Sequence, residues 1–136
     1  LDPEDLAVLE RLDAFATLLG DWSTLDAVLV RMAEVQSDAI EQAGSYRRLG
    51  ALRSQMLEDS AAAIAAYDRA LGIEPDSAAT LDALIELHEG RDVDASGAEL
   101  IELYQRRVEV AGEGEADLRY DLLMRRAHRA ERGTQN

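Results

Sequence analysis

The stretch LGALRSQMLEDSAAAIAAYDRALGIEP, Leu49 to Pro75, decides the fold. Leu49, Leu52 and Met56, preceded by Tyr46, recur at the spacing that puts one apolar stripe on one face of a helix. The acidic break at residues 57–59 interrupts that pattern, and Ser60 behind it suits the start of another helix. Ile64, Tyr67 and Leu71 then build a second stripe. Small residues at Ala63 and Ala70 let two helices approach closely while Tyr67 fills the space between them. Pro75 closes the segment, because a proline cannot continue a helix. The stretch reads as a helical hairpin.

Outward from this hairpin the same grammar returns. The phrase apolar-acid-Pro-acid that ends it also opens the chain, and Pro3, Leu9 and Leu12 recur 72 positions later as Pro75, Leu81 and Leu84. Leu25, Val28, Arg31, Glu34 and Val35 recur 75 positions later as Leu100, Leu103, Arg106, Glu109 and Val110. The difference of three is a longer loop in the second copy, DVDASGAE against GDWST. A helix pair is repeated with one more pair between the copies, a period close to that of helix-turn-helix repeats that stack into solenoids.

The remaining stripes complete the count. Leu6, Leu9, Leu12 and Phe15 mark a first helix, and Leu25, Val28, Leu29, Met32 and Val35 a second. Leu81, Leu84, Ile85 and His88 give a fifth, Leu100, Leu103, Tyr104 and Val108 a sixth, and Leu118, Leu122, Leu123 and Ala127 a seventh. Asp2 before Pro3 suits an N-cap, and Ser96 with Glu99 has capping-box spacing. No strand-like alternation competes over a comparable length. The expectation is an all-α chain, a single domain over residues 1–136 with approximate units 3–38, 43–74 and 76–111 and a final helix over 115–131.

On these residues the chain resembles the tetratricopeptide repeat family. The family asks for Leu-Gly in the first helix of a unit, then small and aromatic residues four apart, another Ala, and a closing Pro. Here these are Leu49-Gly50, Ala63 to Tyr67, Ala70 and Pro75. The resemblance implies an α-solenoid of antiparallel helix pairs, a superhelix that binds a peptide or partner domain in a groove lined by the first helix of each pair. Carried over through Leu49-Gly50, the groove positions are Arg47, Ala51, Ser54 and Gln55 in the second pair, Asp82 and Glu86 in the third, and Glu10 and Ala14 in the first. The family's carboxylate-clamp variant uses Asn and Lys there. This chain has Arg47 and no Asn at those positions, so a mixed or acidic groove points to a partner with Arg or Lys, or to an apolar helix.

Composition narrows the chemistry. The chain has no Cys, hence no disulfide, thiolate metal site or Cys nucleophile, and no Lys, hence no Schiff base or phosphate-binding lysine. Twenty-eight carboxylates face 14 Arg, and a net charge of −14 repels nucleic acid and anionic membranes. No apolar run reaches the roughly 20 residues of a membrane span, so no membrane insertion is expected. The first residue is Leu, which suggests a fragment or processed form of a longer protein. The expectation is a soluble chain with the cytoplasm the favoured compartment, any targeting signal lying outside this segment.

No residue set argues for catalysis. His88 and His128, the only histidines, fall at or near packed faces, and neither has the company a metal site needs. Asp92 and Asp94 lack the ligand run and closing Glu of a calcium loop and read as solvated or capping carboxylates. There is no G-x-S-x-G elbow. Trp22 reads as packing against the preceding helix rather than as a ligand platform. The chain is therefore expected to be no enzyme, to carry no cofactor or metal, and to act as a protein-interaction scaffold; the alternative is a structural module that spaces or assembles domains.

Charge is uneven. Residues 1–114 hold 9 Arg and 24 carboxylates, and residues 115–136 hold 5 Arg and 4 carboxylates. Arg125, Arg126 and Arg129 lie on adjacent turns of the last helix. They suit an ordinary solvated helix end, where cations complement the dipole, or an interface for self-association with the acidic front of a second copy.

Overall fold

The structure, a computed structural model, describes residues 3–91 and 97–134. Among these it is all-helical, with seven α-helices and no strand: α1 Pro3–Leu19, α2 Trp22–Val35, α3 Ala39–Gln55, α4 Ser60–Ile73, α5 Ala78–Glu89, α6 Gly97–Val110 and α7 Ala116–Thr134, the last preceded by a short 3-10 turn at Glu113–Glu115. All seven apolar stripes fall on these helices. The expected caps Asp2 and Ser96, and the loop carboxylates Asp92 and Asp94, lie outside the described residues.

Short polar side chains start the helices. The carboxylates of Asp21, Asp38 and Asp59 accept from the backbone N–H of Thr24, Glu41 and Ala62, and the Ser77 hydroxyl accepts from that of Thr80. The cap of α4 is thus Asp59, one residue before the expected Ser60, because a carboxylate placed at that point reaches the free N–H groups with full charge. Between α1 and α2, Gly20 takes φ 67, and the Asp21 N–H returns to the Ala16 carbonyl at 2.9 Å, so one glycine turns the chain and satisfies the end of α1. The corresponding bend between α3 and α4 puts Glu58 at φ 51, where a side chain is strained.

Contacts along the chain gather it into two compact units, Leu1–Pro75 and Asp76–Asn136. In the first, α1 packs on α2, α2 on α3, and α3 on α4. Its core is Leu25, Val28, Leu29 and Met32 of α2, Tyr46, Leu49 and Leu52 of α3, Ala66 and Ala70 of α4, and Ala16 of α1. Trp22 is half-buried against this core, in the packing role read from its position. Ala63 and Ala70 are fully buried, and Gly50 lies directly under the Tyr67 ring, so the helices meet where the small residues are.

In the second unit α5 packs on α6 and α6 on α7. Leu81, Leu84, Ile85 and His88, Leu100, Leu103 and Tyr104, and Leu122 are buried. His128, by contrast, is exposed. Polar ties bind the three helices. Arg107, buried on α6, donates to Asp82 of α5 at 2.8 Å and to Glu115 ahead of α7 at 2.9 Å. Glu89 of α5 accepts from the Tyr104 hydroxyl at 2.7 Å and from Arg125 of α7 at 3.2 Å. Burial opposes the charge of Arg107, yet the two carboxylates hold its proton more firmly than usual, and Glu115 is in turn more acidic than an ordinary carboxylate.

Three stripes depart in part from their reading: Met56 behind α3 and Leu123 and Ala127 of α7 are exposed, and Leu12 and Phe15 of α1 are exposed, while Ala16 takes the buried place one position on. The apolar arc of α1 is wider than the side that α2 covers, so its outer half faces solvent.

Candidate functional site

The groove candidates of the first unit lie on α1 and α3, and one ion pair joins the two helices. Arg48 of α3 grips Asp13 of α1 with both terminal nitrogens, at 2.7 and 2.9 Å. This bidentate bond keeps the Asp13 carboxyl below the usual range and the Arg48 guanidinium above it. Residues three and four apart share a helix face. Glu10 and Thr17 therefore lie one turn either side of Asp13, with Ala14 next to Glu10, and Gly44 and Ala51 one turn either side of Arg48, with Gln55 a turn beyond. The pair stands in the middle of a two-helix surface.

That surface is small, mixed in polarity and mostly uncommitted. Glu10, Ala14 and Gln55 are exposed, and Ala51 and Ser54 are half-buried, with the Ser54 hydroxyl donating to the Ala51 carbonyl of its own helix at 3.2 Å. Arg47 is different. It donates to Glu74, at the end of α4, at 2.8 Å, so its charge is shared within the unit. Sequence reasoning passed over Ile40, which is exposed at the start of α3 on the same face as Gly44, Arg47 and Ala51. The available signal was an apolar residue standing off the helix's buried stripe.

In the second unit Glu86 is exposed on α5, whereas Asp82, also exposed, accepts from Arg107 and so serves the packing of α5 on α6. The three candidates of the last helix also divide. Arg125 pairs with Glu89 and, along its own helix, with Asp121 at 3.0 Å. Arg126 and Arg129 are half-buried, and the Nη1 atoms of Arg107 and Arg129 are buried without a hydrogen-bond partner among the described residues. The outward face of α7 is instead Tyr120, Leu123 and Met124, all exposed.

Among the described residues no three His, Cys, Asp or Glu side chains gather as a metal ion would require. No described helix is long and apolar enough to cross a membrane. The titratable groups pushed from their ordinary values are held there by structural ion pairs or by burial beneath a neighbouring helix. Tyr104 is the largest case, raised to about 12 by burial and then by its bond to Glu89. No protein-family model matches the chain, and no curated protein matches it in sequence.

Proposed function

We propose that the chain is a non-catalytic protein-interaction scaffold, a tetratricopeptide-like α-solenoid that binds a peptide or partner domain on the surface formed by α1 and α3. The observation that carries this reading is the Asp13–Arg48 bridge, which links α1 to α3 with Glu10, Ala14, Ala51 and Gln55 a turn or two from its ends. The close fit of Gly50 under Tyr67 supports the resemblance to the repeat family, since a Leu-Gly in the first helix and an aromatic in the second have that steric reason to occur together. Exposed Ile40, small Gly44 and Ala51, and acidic Glu10 suit an extended or helical segment with one apolar side chain and an Arg or Lys. Glu86 is assigned the equivalent role in the second unit.

A second reading, an assembly module, is favoured by the exposed apolar side of α1. A photoreactive amino acid placed at Ala14, Gln55 or, as control, the exposed Ala65 of α4 separates a binding surface from general stickiness. Cross-linking in extract is expected to give the same adducts from Ala14 and Gln55 and none of them from Ala65. Equal labelling from all three, or none from Ala14 and Gln55, overturns the reading.

A further inference from the structure

The last helix is held in the second unit differently from its neighbours. Among the described side chains of α7 only Leu122 is buried, against five on α5 and four on α6. Its other large apolar residues are half-buried at Leu118 and exposed at Tyr120, Leu123 and Met124. Apolar burial, the main force that keeps a helix in place, is therefore slight for α7. What fastens it is charge. Glu115, in the turn leading to α7, accepts from Arg107 at 2.9 Å, and Arg125 donates to Glu89 at 3.2 Å. The Glu115, Arg125 and Glu89 side chains are 43, 45 and 32% exposed, open to screening by salt.

The α5–α6 hairpin is complete without α7. Asp82 accepts from Arg107 and Glu89 from the Tyr104 hydroxyl, and Leu81, Leu84, Ile85, Leu100 and Leu103 are buried on the same two helices. The seam with α7 also carries a cost. Among the described residues the buried side-chain polar atoms without a hydrogen-bond partner are Arg107 Nη1 and Arg129 Nη1. Arg107 is tied to Glu115, and Arg129 stands close enough to Tyr104 for its charge to act on the phenol, so both lie at the seam between α7 and the hairpin. A charged donor buried without a partner opposes the packing that buries it, and separation of α7 lets water reach both.

The connection permits that separation. Residues 111–114 read Ala-Gly-Glu-Gly, and a Cβ built on Gly112 or Gly114 meets nothing within 4 Å. Neither glycine has a positive φ. Close packing and left-handed backbone therefore do not call for glycine here, and two of them leave the connection easy to bend.

We propose that α7 is a hinged clasp. It swings off the α5–α6 hairpin as a unit about Gly112 and Gly114 while the hairpin stays folded, uncovers the Tyr104 and Arg107 side of α6, and opens more readily as salt rises. The device involves only the second unit and does not depend on the α1/α3 surface proposed above.

Native-state hydrogen exchange of the 136-residue chain tests this. A 19-residue helix released into water is only marginally stable alone, so opening is read from its own amides. Amides across residues 118–130 are expected to share one protection factor, at least about tenfold below those of α5 and α6, and to lose protection as salt is added. Glu115→Gln and Arg125→Gln should each lower that protection about two- to fivefold with α5 and α6 unchanged. Arg129→Met, which removes the unpartnered guanidinium and keeps an apolar stem, should raise it about fivefold. Protection graded inward from the end of α7, as fraying gives, would overturn the proposal. So would protection of α7 equal to that of α6, a loss of protection in Arg129→Met, or α5 and α6 opening in step with α7.

Discussion

A methyl group built on Gly50 of α3 would stand 2.6 Å from the Tyr67 ring of α4. The Tyr67 ring rests against bare backbone, and α3 and α4 can be this close only because Gly50 has no side chain. Gly50→Ala is expected to force the buried ring aside and cost about 1–3 kcal/mol by overpacking, despite the better helix propensity of alanine. In a Tyr67→Ala background the same substitution should be neutral or stabilising. Urea unfolding of the four chains in this double-mutant cycle checks it, and additive costs would contradict the contact.

Glu58 is held at φ 51 in the turn between α3 and α4. A non-glycine residue there costs about 1–2 kcal/mol, and glycine returns about 0.5–1 kcal/mol of that through its larger unfolded-state entropy. Glu58→Gly should therefore stabilise by roughly 0.5–1 kcal/mol, while Glu58→Val, β-branched, should destabilise. Thermal unfolding of both reads the difference, and a destabilising Gly would show that the turn is not in the left-handed region.

Burial, followed by its bond to Glu89, raises the Tyr104 phenol from 10.0 to about 12. The unfolded chain therefore loses this proton at lower pH than the folded one. The stabilisation is fully present below pH 10 and is lost as pH rises through about 12, because the buried phenol must then ionise beside a carboxylate. Tyr104→Phe should be less stable than the parent at neutral pH, having lost the bond to Glu89, and should lose stability less steeply over that alkaline window. Denaturant unfolding at stepped pH measures both slopes, and parallel slopes would contradict the assignment.

The helices were legible in the sequence because periodicity is local. Leu25, Val28, Leu29 and Met32 announce a buried face without reference to anything distant, and all four are buried. Ala63, Tyr67 and Ala70 likewise announce a close approach of two helices, and Ala63 and Ala70 are fully buried where Tyr67 meets Gly50. What periodicity cannot tell is whether a neighbour is present to cover a stripe, which is why Leu12 and Phe15 read as core and are exposed. Nor does it show pairings made across the fold. Asp13 and Arg48 are 35 residues apart, Arg47 and Glu74 27, and either arginine alone looks like an ordinary surface charge. Asp82 and its partner Arg107 are likewise 25 residues apart, on neighbouring helices. The cap of α4 slipped by one because Asp59 and Ser60 are adjacent and both good caps.

The most direct test of the account is the affinity of the partner captured at Ala14 and Gln55, measured by calorimetric titration against the wild type and three variants. Glu10→Arg and Gln55→Arg change exposed positions on the α1/α3 surface, and Ala65→Arg adds the same charge on α4. Central interface residues commonly contribute more than 1 kcal/mol, so each of the first two should weaken binding by about tenfold, with helicity and melting unchanged. Ala65→Arg should bind as the wild type does. Equal affinity across all four chains would contradict the claim that α1 and α3 form the binding surface.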